Sequence, residues 1–475
     1  MRELTLDQLL ALGRRDQKFS LAGTERGRVA EAARRVQRLA AEGQRAYGIH
    51  THYGHNLKDE VAAEDFPRHQ QELLDYLHVG VGPSLSVETV RRALRLQCLK
   101  VAEGRSGVSP ELLDAVLTLA DGPCDHPVPS LGSLGASGDL IPMAHAIAPA
   151  VRRSGIRGPR DVVGMVNTNA MMASLAAENY AGVRDFLSQA HEITALVSLA
   201  LDSNPEHFDP ALFGESNRLQ EEQVRSARRI REARERLTSE LSVDAPDAPY
   251  SPGEEPADVA APLQERYSVR VAPQVLGNAG DLLSFAEKKI LMEALAVADN
   301  PVLSEKSFSA QPDSDGGGPD PGAREGVFLH GGLFYAASLA TAADSLGDIL
   351  QSVATMLDRQ VLLLMDRHWS HGLPDNLSLG GGDHLKGIHQ LLSALVQKLK
   401  GLSTRSHELG FSAEQNNQDV LPAAMTVQLQ LRESLVLARQ VLRAARFSAE
   451  RGAHLRLGIE VPEELRLSAW EQFSV

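Results

Sequence analysis

Apolar residues recur at intervals of three and four through residues 178–203, 280–298, 334–358 and 384–409, the spacing of helices with a buried face. Residues 216–241 contain neither glycine nor proline. They place Glu221 before Arg225 and Glu232 before Arg236, four positions apart, which predicts a long helix with a solvated, ion-paired face. Period-two alternation is scarce, so strands are not expected to organise the fold. Long helices with short connections predict an all-α, long-helix bundle. Two segments interrupt the pattern. Residues 244–262 are rich in proline and acid, and residues 309–326 in proline, glycine and aspartate. Both read as surface loops or lids, the first running directly into Gln264 and Tyr267. Neither divides the chain, because helical patterning of the same kind lies on both sides.

Composition narrows the partners. The chain has 475 residues, with 48 Lys and Arg against 62 Asp and Glu, a net charge of −14. That charge repels a phosphate backbone, which disfavours nucleic acid as the main partner. Aromatic residues make up only 4%, so leucine, alanine and valine must fill the core. Cys98 and Cys124 form neither a disulfide framework nor a C-x-x-C pair. The first residues carry acids early and have no uninterrupted apolar run, unlike a secretory signal. No stretch of 18 apolar residues is present to cross a membrane. A reducing, cytoplasmic setting is expected.

The most informative stretch is residues 127–145, PVPSLGSLGASGDLIPMAH. It matches neither G-x-G-x-x-G nor a phosphate loop ending in GK[ST]. One reading is a glycine-rich turn before a helix capped by Ser137 or Asp139. The other is chemical. In Ala136-Ser137-Gly138, the Gly138 nitrogen can attack the Ala136 carbonyl, and Ser137 can then lose its hydroxyl as water. Glycine leaves the attacking nitrogen unobstructed and tolerates unusual backbone angles. Serine supplies the β-oxygen to be eliminated, and alanine is small enough for the tight turn. The product is 4-methylidene-imidazol-5-one (MIO), an electrophile made autocatalytically from the chain itself.

Gly132 to His145, GSLGASGDLIPMAH, resembles the signature of the aromatic amino acid ammonia-lyase and aminomutase family, which includes histidine, phenylalanine and tyrosine ammonia-lyases. Other segments agree with it in order. Tyr47-Gly48-Ile49 with Thr51 and Gly54 resembles Y-G-I-N-T-G-F-G. Tyr76-Leu77 before Gly80-Val81-Gly82 resembles the substrate-selectivity segment. Asn167 resembles the asparagine of N-G-T-x-x-M-T. Gln264, Tyr267, Ser268 and Arg270, followed by Pro273 to Gly277, resemble Q-D-x-Y-S-x-R-x-x-P-Q-V-x-G. Asp299-Asn300-Pro301 matches S-D-N-P, Gly331-Gly332 with Phe334 resembles G-G-N-F, and Glu414 to Val420 resembles A-E-Q-H-N-Q-D-V.

The resemblance implies residues 1–475 as a single catalytic unit, with an N-terminal active-site part at about 1–200 and a central long-helix bundle at about 201–475, in an ammonia-lyase and fumarase-like architecture. It implies MIO as the prosthetic group, no metal, a small amino acid substrate and a homotetramer whose sites draw on different subunits. Tyr47 would remove the β-proton. Arg270 would hold the substrate carboxylate through its planar fork. Tyr267 and Asn167 would hydrogen-bond near the prosthetic group and the carboxylate, Gln264 and Gln418 would line the amine side, and Phe334 would pack beside the ring.

The departures bear on the substrate. Leu333 stands where the family has asparagine. His50, His52 and Tyr53 replace Asn, Gly and Phe, which makes Tyr53 a rival base and places His50 and His52 as pocket residues for a polar side chain. Histidine-specific members carry Ser-His at the selectivity pair and Glu at the position of Gln418. Tyr76-Leu77 and Gln418 therefore point to an aromatic or otherwise unusual α-amino acid. A 2,3-aminomutase making a β-amino acid shares every residue above. A catalytically altered member binding its ligand through His50 and His52 is a further alternative. His50-x-His52-x-x-His55 has the look of a metal cluster but lacks an accompanying carboxylate or thiolate set. The G-S-S-x-M-P-x-K-x-N loop of the fumarase and aspartase superfamily is not found.

Overall fold

A computed structural model describes residues 4–214, 220–241, 263–304, 327–402 and 404–473. The two interrupting segments, 244–262 and 309–326, lie outside the described residues. The chain is all-α, as its periodicity predicts. Two short antiparallel strand pairs accompany the helices, Val81–Ser84 with Pro129–Leu131 and Val302–Leu303 with Phe328–Leu329. The chain groups into two compact units. The first comprises Met1–Glu178, Glu287–Ala343 and Arg405–Gln428, and the second Asn179–Ala286, Asp344–Thr404 and Leu429–Val475.

In the first unit the helices Val87–Val101, Pro110–Asp121 and Leu140–Ser154 pack against one another. Ser86 caps the first by accepting the Thr89 N–H at 3.1 Å, and Ser109 caps the second, with Pro110 at its first turn. Val87–Val101 is buried almost all round, although it carries Arg91, Arg92 and Arg95. Burying a guanidinium requires that its N–H groups find acceptors. Arg91 donates to the carbonyls of Gly13, Ala120, Gly122 and Pro123, and Arg95 to those of Leu12 and Arg14. These bonds fasten the N-terminal segment and the 120–123 turn to the helix. The strand pair Val81–Ser84 and Pro129–Leu131 then delivers the chain to the glycine-rich turn, and Leu140–Ser154 carries it away.

The second unit contains the helix Glu221–Leu241, inside the expected 216–241. Arg225 meets Glu221 at 2.8 Å as the spacing predicts. Arg236 turns instead to Glu240 at 3.2 Å and Glu192 at 3.1 Å, and Glu232 lies 4.0 Å from Arg228. The other periodic stretches fall in the helices Ala170–Ala200, Ala272–Leu295, Ala337–Leu364 and Lys386–Gly401. The last is shorter than its pattern, because the helix ends at Gly401 and the chain resumes as a single 3-10 turn at Ser406–Glu408. Gly277 admits close packing, since a Cβ there would lie 2.5 Å from Gln223 Cα. Cys98 and Cys124 are both free and buried. No helix among the described residues is long and apolar enough to cross a membrane.

Candidate active site

The glycine-rich turn is built so that Ser137 is held from both sides. Ser133 Oγ accepts the Gly135 N–H and donates to the Gly138 carbonyl, each at 3.2 Å, which folds residues 133–138 on themselves. Gly138 has φ +77°, and a Cβ there would lie 2.2 Å from the Thr168 carbonyl oxygen, so no other residue fits. Asn167 Nδ2 donates to the Ser137 carbonyl at 2.9 Å, and Gln418 Nε2 donates to Ser137 Oγ at 2.9 Å. Asn167 Oδ1 is buried without a partner. Asp139, next in the chain, is fully buried and accepts the Met172 N–H at 2.9 Å. Burial pushes its carboxyl up to about 7, against the pull of backbone donors and of Lys100. Burial likewise drives Lys100 down to about 7.

The Tyr47–Gly54 loop faces this turn across a cavity of about 860 Å3. Tyr47 Oη accepts the Gly54 N–H at 2.9 Å, and the Tyr47 N–H donates to His330 Nε2 at 3.2 Å. Burial raises the Tyr47 phenol above its ordinary pKa. The Gly54 N–H and the Arg160 guanidinium pull it down, and Glu414 adds to the rise. The third wall is the turn 411–420. Glu414, Gln415 and Asn416 take successive left-handed φ values of 51°, 53° and 66°, and Ala413 pairs with Gln418 through both backbone hydrogen bonds. This reversal brings Glu414 and Gln418 to the cavity together. Glu414 Oε2 accepts from Gln418 Nε2 at 3.1 Å and from Asn417 Nδ2 at 2.9 Å. The carboxylate occupies the place where a side chain on Gly54 would stand, 1.4 Å from an added Cβ.

Of the residues singled out from sequence, Tyr47, Tyr53, Tyr76, Leu77, Ala136, Ser137, Asn167, Phe334 and Gln418 line this one cavity. His50, His52 and Leu333 are not among its lining residues. Both His50 ring nitrogens meet backbone, Nδ1 accepting the Ala46 N–H at 3.3 Å and Nε2 lying 3.1 Å from the Ala40 carbonyl oxygen. His52 packs edge-on against His69 at 4.9 Å. Leu333 is 52% exposed. Gln264, Tyr267 and Arg270 belong to the second unit and form a cluster of their own, with Arg270 bonded to Gln264 and its guanidinium 4.7 Å over the Tyr267 ring. Tyr267 is 68% exposed. Sequence reasoning missed Glu414, Asn300, His330 and Val163 as cavity residues. The first two lay inside quoted motifs, but no residue-type pattern marked them. Among the described residues no three of His, Cys, Asp and Glu are grouped to hold a metal ion.

Residues 4–472 match the family described as aromatic amino acid lyase. A tyrosine ammonia-lyase from Cereibacter sphaeroides is 27% identical over 493 residues, spanning 96% of this chain and 88% of the relative. A histidine ammonia-lyase from Burkholderia cenocepacia is 27% identical over 477 residues, spanning 95% and 87%. Among solved structures, the phenylalanine aminomutase of Pantoea agglomerans superposes with a TM-score of 0.81 at 18% identity, over 99% of this chain and 92% of that one. At that identity the likeness is one of fold.

Proposed function

The chain belongs to the aromatic amino acid lyase family, and from that premise we propose that it is an MIO-dependent ammonia-lyase for an aromatic or otherwise unusual α-amino acid. Membership makes it a carbon–nitrogen lyase of the ammonia-lyase and aminomutase class. The observation that carries the finer reading is the joint approach of Asn167 and Gln418 to Ser137 in the cavity that also holds Tyr47.

The residues present fit the prosthetic group. Gly138 sits where only glycine is tolerated, and a side-chain amide is already aimed at each of the two Ser137 oxygens. Formed from Ala136-Ser137-Gly138, the group supplies an electrophile that makes the substrate's ammonia a better leaving group. Asn167 and Gln418 hold its surroundings in place, and Phe334 packs the cavity wall. Tyr47 Oη removes the β-proton. Burial disfavours the tyrosinate, and the Gly54 N–H bond and the Arg160 guanidinium offset part of that cost. Tyr76 and Leu77 shape the side-chain end of the cavity. Arg270 binds the substrate carboxylate with Tyr267 beside it, and Gln264 lines the amine side, all three contributed by another copy in a homotetramer. The exposure of Tyr267 supports that assignment. The whole chain then acts as one catalytic unit in the cytoplasm, and the reading calls for no metal.

The test is the intact mass of the purified protein, followed by peptide mapping across residues 127–145. Loss of two waters localised to Ala136-Ser137-Gly138 is expected. An unmodified tripeptide would overturn the reading in favour of a catalytically altered family member. Ammonia release and β-amino acid formation, screened over L-tyrosine, L-phenylalanine and L-histidine, then separate lyase from aminomutase.

A further inference from the structure

Tyr47 and Tyr53 close on each other's ends of one loop. Tyr47 Oη accepts the N–H of Gly54, the residue after Tyr53. Tyr53 Oη lies 3.3 Å from the carbonyl oxygen of Gly48, the residue after Tyr47, and donates to it. The rings meet edge-on with centroids 6.1 Å apart. Gly48 has φ +69°, and a Cβ there would lie 2.8 Å from Tyr53 Cε1, so glycine admits the ring. On its other face Tyr53 stacks on His69, at 4.4 Å and 7°.

Gln70 completes the arrangement. It is fully buried. Its Nε2 donates to Tyr53 Oη at 2.6 Å and to the Gly48 carbonyl at 3.4 Å, and its Oε1 accepts the N–H groups of Val162 at 2.9 Å and Val163 at 3.0 Å. Two donors and two acceptor sites are all that a glutamine amide has, and all are used. The partners also fix its orientation, because the flipped amide would set oxygen against the Gly48 carbonyl and N–H against two N–H groups. Gln70 thereby ties the Tyr47–Gly54 loop to the Val163 wall of the same cavity.

We infer that Tyr53 and Gln70 are positioning residues for proton removal, holding the loop so that Tyr47 Oη keeps both its Gly54 N–H donor and its place in the cavity. The inference rests on the reading of Tyr47 as the base. It also removes Tyr53 as a rival, since the Tyr53 hydroxyl is committed to Gly48 and Gln70. The charged and titratable groups facing Tyr47 are Glu414 on the 411–420 turn, Arg160 with its buried partner Asp299 at 2.7 Å, Tyr76 on the helix Phe66–Leu77, His330 and Tyr53 itself. Glu414 opposes the tyrosinate and Arg160 favours it. Loosening the loop lengthens the Gly54 bond, which withdraws support from the tyrosinate and raises the pKa of Tyr47.

Tyr53→Phe keeps the ring on His69 and removes only the hydroxyl. Hydrogen exchange of the 47–56 peptide is expected to quicken about tenfold in this variant, with distant helices unchanged. With whichever of L-tyrosine, L-phenylalanine and L-histidine releases ammonia, kcat falls about tenfold and its acid limb moves up by about one pH unit, while KM stays within about twofold. Gln70→Met should act in the same direction, and Tyr53→Phe carries the test if that variant does not fold. Unchanged exchange overturns the inference. So does a change in KM alone, which would make Tyr53 a ligand contact. Tyr47→Phe with full kcat would instead overturn the base reading, whatever the exchange result.

Discussion

The wall around Ser137 and the strip Gln264–Arg270 carry motif residues of equal standing in the sequence, yet they are built in opposite ways. Ser137 is reached by two amides from distant parts of the chain, and its turn is closed by Ser133 and by a glycine that nothing can replace. The strip is anchored from below and open above. Glu265 is buried, its N–H donating to His207 Nε2 at 3.1 Å, while Tyr267 on the same strip is 68% exposed and Leu263 81%. Within the strip Arg270 meets Gln264 and Tyr267. Under the proposed function, the part of the site assigned to the electrophile is complete within one chain, while the part assigned to the carboxylate faces outward. Such a strip gains its function from what covers it, and under the proposed assembly the cover is another copy of this chain.

Breaking the Ser137 side should have the largest effect. Ser137→Ala removes the oxygen that must be eliminated, and kcat should fall by about a thousandfold or more with an unchanged circular dichroism spectrum. Retained turnover would reject the chemistry outright. Arg270→Leu comes next, with a loss in kcat/KM of about a hundredfold, read mainly in KM, if the guanidinium holds a carboxylate. Mixing the two impaired variants, assayed with substrate well below the wild-type KM, sharpens the contrast. If sites draw Ser137 and Arg270 from different copies, co-refolded mixtures should regain about a quarter of the wild-type rate, because a random half of copies supplies each intact partner. A mixture no faster than its parents under that condition would place both residues in one copy's site. Asn167→Leu should cost less, about tenfold in kcat, since it removes one hydrogen bond to the Ser137 carbonyl, an oxygen that the proposed ring retains.

How much of this could be read from the chain follows the same division. Ala136-Ser137-Gly138 stood out because the tripeptide suits cyclisation and Tyr47 through its place in the Y-G-I frame, and Tyr47, Ala136 and Ser137 do line one cavity. Glu414 and Gln70 were not, because their positions depend on the backbone path. Three consecutive left-handed residues turn Glu414 into the cavity, and Gln70 looks like any polar residue on an amphipathic helix until its four partners are seen. His50 and His52 read as cavity residues from their place in the Y-G-I frame, but the loop turns His50 onto the Ala46 N–H and the Ala40 carbonyl. The long helices were legible from periodicity. Val87–Val101 was not, since Arg91, Arg92 and Arg95 suggest a solvated face and are instead buried on carbonyl groups.

The smallest effect, and the most selective for the strip, concerns its anchor. Burial pushes the Glu265 carboxyl up to about 7, beside His371, which burial drives down to about 4, with the nearest Oε1 to Nε2 distance 3.4 Å. A carboxyl with a raised folded-state pKa favours folding while protonated, so its contribution is full below the unfolded pKa, near 4.5, and is lost as pH rises through about 7. Glu265→Gln keeps the shape and has no proton to lose. The Tm of wild type relative to this variant should therefore decline by a few degrees between about pH 5 and pH 7.5 and then level off. Activity should follow the same window only if the strip must be held in place to bind the carboxylate, so a pH-dependent rise in KM that disappears in Glu265→Gln would tie the buried anchor to the exposed residues above it. A Tm difference independent of pH would show that Glu265 stays ionised, and the strip would then be held by its backbone bond to His207 rather than by a protonated carboxyl.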